Sequence, residues 1–274
     1  MAIPPTILVL DSGLGGLTVF REIAAARPDA HFIYAADDAF FPYGRHGEVR
    51  LVERVLAVVG ELILSQQPDL VVIACNTAST LVLPQLRARF AIPFVGTVPA
   101  IKPACASSRS KLVSVLGTEA TVAREYTRTL IAEFAQGCAV TLVGSRRLAV
   151  LAEATLNGEA AADADIADEI KPCFITKEGA RTDTIVLACT HYPLLLDRLK
   201  NLPPWPVEWI DPAPAIARRV VELLGPPTSA TSTSPTRLIL TSGRAPSTAL
   251  AANMAGYGVV PAPASAFDTL PQSP

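Results

Sequence analysis

The stretch VVIACNTASTLVLPQLR, residues 71–87, contains the structural unit from which the fold can be predicted. Its opening run of aliphatic residues suits a strand that is buried on both faces of a parallel sheet. Ala74, Cys75 and small polar residues then form a turn, and the leucines that follow are typical of a helix. The stretch therefore predicts a strand, a turn and a helix, with a cysteine at the carboxyl end of the strand.

A second stretch, IVLACTHYPLLLDRLK at residues 185–200, follows the same plan around Cys189. Strand, turn and helix recur in every α/β protein, so a single pair of this kind could arise by chance. The matched position of the two cysteines nevertheless favours duplication. We expect two half-molecules of similar design, each with one cysteine at a strand end.

Other aliphatic runs alternate with amphipathic segments along the rest of the chain. The runs that predict strands are 7–10, 31–36, 94–98, 112–117 and 140–144, and the segments that predict helices include 16–28, 48–67, 121–135 and 193–202. This rhythm predicts a doubly wound α/β fold. The Pro/Ser/Thr stretch 225–236 is predicted to be a surface loop and the tail 261–274 to be frayed.

The composition indicates a globular protein with a small-molecule partner. The chain has 274 residues, of which 50% are hydrophobic, and a net charge of −2 without a basic block. This balance argues against a surface for nucleic acid or anionic membranes. The N-terminus has neither a basic region nor a long apolar run, so we expect no signal peptide and no membrane-spanning helix. We therefore expect a cytoplasmic location. The five cysteines form no CxxC pair, so neither disulfides nor a metal site is expected.

The turn DSGLGG, residues 11–16, follows the first predicted strand. Its small residues leave backbone N–H groups free at the start of a helix, which suits a carboxylate or phosphate. A dinucleotide motif would need a third glycine where Thr18 stands, so a cofactor site is not favoured. The alternative is structural, because glycines at such a turn also let helix and strand pack closely.

Cys75 lies where ligands bind in open α/β sheets, at a strand end and a helix start. The helix N-terminus is expected to lower the thiol pKa from about 8.5. Asn76 and Thr77 could donate hydrogen bonds to a substrate carboxylate. The alternative is an inert buried cysteine whose neighbours cap the helix.

The second cysteine turn favours catalysis, because Thr190 and His191 follow Cys189 directly. His191 could orient or deprotonate a thiol near neutral pH. His31 and His46 are expected to be structural.

Three further polar features remain open from the residues alone. The PYG turn, residues 42–44, could close over a ligand or be an ordinary loop. Thr118 and Thr121 could bind a ligand or cap the next helix. Glu153, in a predicted helix, would face solvent by default.

The motifs DSGLGG, FPYG, ACNTAST, VGTVPAIKPA, TVAREY, GSRRLAVLAE, ACTHYPLL and TSG occur in an order and at spacings that resemble the glutamate racemase family, over residues 7–243. The CNTAST and CTHYPLL pair is the most specific part of this resemblance. His191 distinguishes it from aspartate racemases, whose second cysteine is typically followed by Thr-Glu.

The resemblance implies two pseudo-symmetric, doubly wound α/β domains with the active site in the cleft between them. The first would span 1–97 and 210–274, and the second 98–209. It further implies a cytoplasmic homodimer that interconverts L- and D-glutamate without a cofactor and supplies D-glutamate for peptidoglycan synthesis. The implied catalytic residues are Cys75, Cys189, Asp11, His191 and Glu153. The implied substrate-binding residues are Asp11, Ser12, Pro42, Tyr43, Gly44, Asn76, Thr77, Thr118, Thr121, Thr190 and His191.

The chemistry of racemisation agrees with two thiols. Inverting an α-carbon needs a base on one face and an acid on the other, because a single base would return the proton to its original face. Two alternatives stay open: a racemase or decarboxylase of the same superfamily acting on aspartate or a hydantoin, and a catalytically silent amino-acid-binding protein.

Overall fold

The structure, a computed structural model, describes residues 4–135, 137–228, 232 and 234–259. The first part of the chain forms β1 (Thr6–Asp11), α1 (Leu17–Ala26), β2 (His31–Ala36), α2 (Glu48–Gln66), β3 (Leu70–Ile73), α3 (Asn76–Arg89) and β4 (Phe94–Gly96). The second part forms α4 (Ile101–Ser107), β5 (Leu112–Thr118), α5 (Glu119–Ala123), α6 (Glu125–Phe134), β6 (Ala139–Ser145), α7 (Leu148–Leu156), α8 (Asp163–Ile170), β7 (Thr176–Lys177), β8 (Ala180–Arg181), β9 (Thr184–Ala188), α9 (Leu196–Asn201) and β10 (Glu208–Ile210). The elements that follow are α10 (Ala213–Leu224), β11 (Arg237–Leu240) and α11 (Thr248–Ala255).

Two parallel sheets share one strand order, which confirms the predicted α/β fold class. The first sheet has the order β11-β2-β1-β3-β4, and the second, read from its far edge, has the order β6-β5-β9-β10. Without β11, the two orders correspond strand for strand. Strands β3 and β9 are therefore equivalent, and they are the strands that precede Cys75 and Cys189.

Helices cover both faces of each sheet because their apolar residues repeat at helical spacing. In α2 the buried positions are Leu51, Val55, Val58, Val59 and Leu62, a single stripe that packs on the first sheet. Helices α1, α10 and α11 cover the opposite face of that sheet. The second sheet lies between α7 to α9 on one face and α4 and α6 on the other.

The strands of each sheet come from distinct parts of the chain. The first sheet uses residues 6–96 and 237–240, and the second uses residues 112–210. The domain boundaries expected at 97 and 210 accord with this distribution and stay a prediction.

Two expected helices are interrupted. The segment 121–135 breaks at Arg124, whose backbone is extended. The Thr127 hydroxyl there donates to the Thr121 carbonyl at 2.7 Å, which satisfies the end of α5 before α6 begins. The segment 193–202 begins as a 3₁₀ turn and becomes helical at Leu196. The expected loop 225–236 is described only in part, and the tail 261–274 lies outside the described residues.

No helix among the described residues is long and apolar enough to cross a membrane.

The Asp183 carboxylate, just before β9, binds the segment that leads into the neighbouring strand β5. It accepts hydrogen bonds from the Ser108 hydroxyl at 2.7 Å and from the N–H groups of Arg109 and Ser110 at 2.7 and 2.8 Å. Partial burial raises the pKa of Asp183, but these bonds outweigh it and hold the pKa at about 2.

We predict that Asp183→Asn lowers the free energy of unfolding by about 1–3 kcal/mol at neutral pH. A depressed folded-state pKa gives stability that is present above the unfolded-state value of 3.8 and is lost as pH falls through about 2. The difference between wild type and variant in urea unfolding should therefore shrink between these two pH values. A difference that does not change with pH would contradict the assignment.

Candidate active site

Cys75 lies at the N-terminus of α3, directly after the first-sheet strand β3. Its thiol is buried, with 5% of the residue exposed, and its Sγ lies 3.6 Å from Ser12 Oγ. Ser12 follows β1, the neighbouring strand, so the two side chains meet because parallel strands end at the same sheet edge.

The sequence-based expectation for the ionisation of Cys75 is wrong. Burial raises the pKa of the Cys75 thiol well above its ordinary value, and the nearby charge of Asp11 raises it further. A hydrogen bond from the Ala78 N–H, which is the contribution of the helix N-terminus, lowers this pKa without offsetting the burial. Charge on Cys189 also raises the pKa of Cys75.

Cys189 lies in the equivalent turn after β9, beside a buried chain of hydrogen bonds. Its Sγ is 4.0 Å from His191 Nδ1, and His191 Nε2 is 2.6 Å from Glu153 Oε2. Glu153 also accepts a hydrogen bond from the Leu14 N–H at 3.1 Å. The expectation that Glu153 faces solvent is wrong, because α7 turns it towards this buried histidine.

The pKa of His191 is raised well above its ordinary value. Burial alone would lower it, but hydrogen bonds with Cys189 and Glu153 and the charges of Glu153 and Asp11 outweigh burial. These interactions favour the protonated imidazole, which lies beside the Cys189 thiol.

The DSGLGG turn holds a buried carboxylate between the two cysteine turns. Asp11 Oδ2 accepts the N–H groups of Gly13 and Gly16 at 3.3 and 3.0 Å. Thr190 donates to Asp11 Oδ1 at 3.4 Å, across from the second sheet. A methyl group on Gly15 would come within 2.4 Å of the His191 ring, so only glycine leaves room for this histidine.

Asn76 has a buried side-chain amide without hydrogen-bond partners in the described part of the chain, which indicates a contact with a ligand. Its side chain is 1% exposed, and neither its amide nitrogen nor its amide oxygen has a hydrogen-bond partner among the described residues. Such a group is costly unless something else satisfies it. A bound molecule with both donors and acceptors would do so.

Three threonine hydroxyls from both halves of the chain meet next to Asn76. Thr77 Oγ1 lies 2.9 Å from that of Thr118 and 3.2 Å from that of Thr121, and the last two lie 2.9 Å apart. Thr118 also caps α5 by accepting the Thr121 N–H at 3.1 Å. The two interpretations of Thr118, ligand contact and helix cap, are therefore compatible.

The PYG turn lies against this threonine cluster. Gly44 packs beside Thr118, and a cavity of about 220 Å³ is lined by Pro42, Gly44 and Thr118. Tyr43 is 2% exposed, and its hydroxyl donates to Asp37 at 2.7 Å. Arg45, next in sequence, lines the same cavity.

Several residues beside the site were missed from the sequence. The Tyr34 hydroxyl donates to the Gly13 carbonyl at 3.1 Å, and the Phe41 ring lies 5.2 Å from that of His191. Asp37 directly follows β2 and Asp11 is the last residue of the neighbouring β1, and this similar placement of two aspartates at strand ends was the available signal for Asp37.

The predicted residues thus come together at the carboxyl ends of both sheets. The arrangement offers two buried thiols, a cationic imidazole, a buried carboxylate and an unsatisfied amide. Thiols can exchange protons with a carbon acid, and the other groups can hold an ionic substrate. No group of three or more His, Cys, Asp or Glu side chains in the described part of the chain is arranged to hold a metal ion.

Comparison with known protein families gives a match over most of the chain. The model of the family described as Asp/Glu/hydantoin racemase matches residues 7–220. A glutamate racemase of Brucella anthropi is 57% identical over 221 residues, which are 80% of this chain and 80% of that protein. One from Brucella suis is 57% identical over 219 residues, 80% of this chain and 79% of that protein.

Solved structures give the same result. Glutamate racemase of Escherichia coli, crystallised with L-glutamate and the activator UDP-MurNAc-ala, has a TM-score of 0.85 at 40% identity and covers 94% of this chain and 97% of its own. A glutamate racemase isoform of Bacillus anthracis has a TM-score of 0.79 at 25% identity and covers 99% of this chain and 100% of its own.

We predict that Glu153→Gln lowers the pKa of His191, because the substitution removes a charge and weakens a hydrogen bond that both raise it. NMR titration of the imidazole nitrogens would measure the change. Glu159→Gln, at an exposed position just beyond α7, is the matched control and should leave the His191 pKa unchanged. Equal titration curves for wild type and Glu153→Gln would show that Glu153 does not set the charge of His191.

Proposed function

Since the chain belongs to the Asp/Glu/hydantoin racemase family, we propose that it interconverts L-glutamate and D-glutamate without a cofactor. The names of its relatives support glutamate as the substrate, because similar proteins at 57% and 40% identity are glutamate racemases. The observation that carries the proposal is the pair of buried thiols at equivalent strand ends, one beside Ser12 and one beside His191.

In the proposed mechanism Cys75 and Cys189 face opposite sides of the substrate α-carbon. The thiolate of one takes the α-proton, and the thiol of the other donates a proton to the opposite face. The two cysteines then exchange roles for the reverse reaction. On one face a C–H bond breaks and an S–H bond forms, and on the other face an S–H bond breaks and a C–H bond forms. No other reactant is therefore needed.

The raised pKa of Cys75 suits this task. A glutamate α-proton is weakly acidic, and a thiolate whose pKa is raised is a stronger base towards it. The same burial keeps water from the carbanion that develops. The cost is that little thiolate exists before the substrate binds, so the substrate ammonium group is a natural contributor of compensating positive charge.

Polar groups around the thiols hold the substrate in this mechanism. Asn76, with its unpaired amide, binds the α-carboxylate together with Thr77 and Thr190. Asp11, held by backbone N–H groups, attracts the ammonium group. Ser12 stays beside Cys75, and the PYG turn with Thr118 and Thr121 holds the side-chain carboxylate. Hydrogen bonds that strengthen as carbanion charge develops lower the barrier.

His191 and Glu153 serve the second thiol. The imidazole lies within hydrogen-bonding reach of the Cys189 thiol, and Glu153 orients that imidazole and favours its protonated form. The two thiols therefore have different surroundings, since the Asp11 carboxylate raises the pKa of Cys75 and the His191 imidazole lies beside Cys189.

The cellular role belongs to the same proposal. The enzyme works in the cytoplasm as a homodimer of two-domain subunits, with the site in the cleft between the domains. Its D-glutamate is used for peptidoglycan synthesis, and so for cell-wall formation and cell shape. It needs neither nucleic acid nor a membrane surface.

We predict that Cys75→Ala and Cys189→Ala each lower the rate of glutamate racemisation by at least about a thousandfold, because each removes one of two required proton-transfer groups. Circular dichroism starting from D- and from L-glutamate measures the rate. Deuterium incorporation from heavy water into glutamate, aspartate and hydantoins tests the substrate.

Cys138→Ala is the control, since this cysteine is only partly buried and lies away from the site. Full activity in either active-site variant would refute the two-thiol mechanism. Binding of glutamate by the wild type without α-proton exchange would instead indicate a silent binding protein.

We also predict that kcat/KM rises with pH between about 6 and about 9, approaching tenfold per unit where one deprotonation limits the rate. The sign follows from burial, which raises the pKa of Cys75 and so makes its thiolate scarce at neutral pH. A flat profile over this range would contradict a limiting thiol ionisation.

A further inference from the structure

Asp37 is a fully buried carboxylate just beyond the proposed site. It follows β2, and its backbone N–H donates to the Asp11 carbonyl at 2.8 Å. Its side chain accepts from the Tyr43 hydroxyl at 2.7 Å and from Thr241 at 2.7 Å, and pairs with Arg54 at 2.5 Å. These donors come from three separate parts of the chain.

The contact with Tyr43 fixes the turn that carries it. Tyr43 is the middle residue of the PYG turn, and its hydroxyl proton is committed to Asp37. The phenol therefore acts as an anchor rather than as a donor to a ligand. Burial and the charge of Asp37 raise the pKa of Tyr43, so this proton is retained across the working pH range.

The other two partners hold Asp37 itself in place. Arg54, on α2, makes a two-nitrogen contact through Nε and an Nη atom, which fixes the plane of the carboxylate. Thr241 follows β11, and its hydroxyl also accepts the Ala39 N–H at 3.3 Å. The TSG motif, residues 241–243, thereby supports the segment that leads into the turn.

A displacement of this segment would be transmitted to two groups of the site, His191 and Thr118. Phe41 lies 5.2 Å from the His191 ring, and Gly44 packs on Thr118. The turn itself holds no proton-transfer group of the proposed mechanism. Its position should therefore affect how well substrate is held more than how fast a bound substrate reacts.

We propose that Asp37, held by Arg54 and Thr241, is a positioning residue that sets the substrate-binding position of the PYG turn through its hydrogen bond with Tyr43. This inference rests on the proposed function, because it assigns the turn a contact with glutamate. It adds a determinant of substrate affinity that is not itself in contact with substrate.

The chain provides a matched control for a merely structural effect. Asp29 is also fully buried, and it pairs with Arg27 at 2.9 Å. Its other side-chain hydrogen bonds among the described residues are with Thr228, away from the PYG turn. Asp37→Asn and Asp29→Asn therefore remove the same charge from similar pairs, but only one of the pairs contacts Tyr43.

The test is a double-mutant cycle in KM and kcat for racemisation, with Asp37→Asn, Tyr43→Phe and the double variant. We expect each single variant to raise KM about tenfold and to change kcat less than about threefold. The double variant should have a KM within about twofold of the single variants, because both remove one coupling. Asp29→Asn should lower the melting temperature and leave KM unchanged.

Three results would overturn the inference: an unchanged KM in folded Asp37→Asn, KM effects that multiply in the double variant, or an equal KM increase in Asp29→Asn. If Asp37→Asn does not fold, Thr241→Val replaces it in the cycle and the same outcomes decide. A wild type without racemase activity would contradict the proposed function. An active wild type whose KM is unaffected by the substitutions in the cycle would contradict only this inference.

Discussion

The removal of ionisable groups from water is the constraint on which the rest of this structure depends. Asp11, Asp37 and His191 are each at most 2% exposed, and both cysteine turns are buried with them. A buried charge is costly unless hydrogen bonds and opposite charges compensate it. The glycine-rich turn, the Arg54 pair and Glu153 supply this compensation, and each needs backbone that the two sheets hold rigid. The two sheets therefore provide the rigid backbone that allows several ionisable groups to be buried close together.

The two halves of the chain share a strand order, but the residues around their cysteines differ. Strands β3 and β9 occupy the same place in their sheets, so each delivers a cysteine to the same edge. The neighbours of the two thiols are different: Ser12 accompanies Cys75, and His191 accompanies Cys189. The shared strand order therefore explains why both thiols lie at the carboxyl ends of equivalent strands, and their different neighbours make the two thiols inequivalent. A chiral α-carbon presents two different faces, and in the proposed mechanism each face lies next to a thiol with different surroundings.

The sequence predicted those parts of the fold that depend on local pattern. Both cysteine turns could be located because strand, turn and helix follow each other within 17 residues, as at 71–87. The ionisation of Cys75 could not be predicted, because burial outweighs the helix terminus and burial is a property of the assembled fold. Glu153 was expected in solvent because a helix pattern does not reveal which face a distant histidine will occupy. Asp37 was missed for a similar reason: its partner Thr241 is 204 positions away.

That last separation has a consequence for synthesis of the chain. Strand β11 joins the edge of the first sheet beside β2, although all strands of the second sheet are translated between them. The N-terminal residues emerge from the ribosome long before Thr241 does. A nascent chain therefore carries both cysteines while one wall of its substrate site still lacks a support. If Asp37 positions the PYG turn as proposed, that turn acquires its Thr241 support only when β11 has joined the sheet, so a prematurely terminated product could keep both thiols without it.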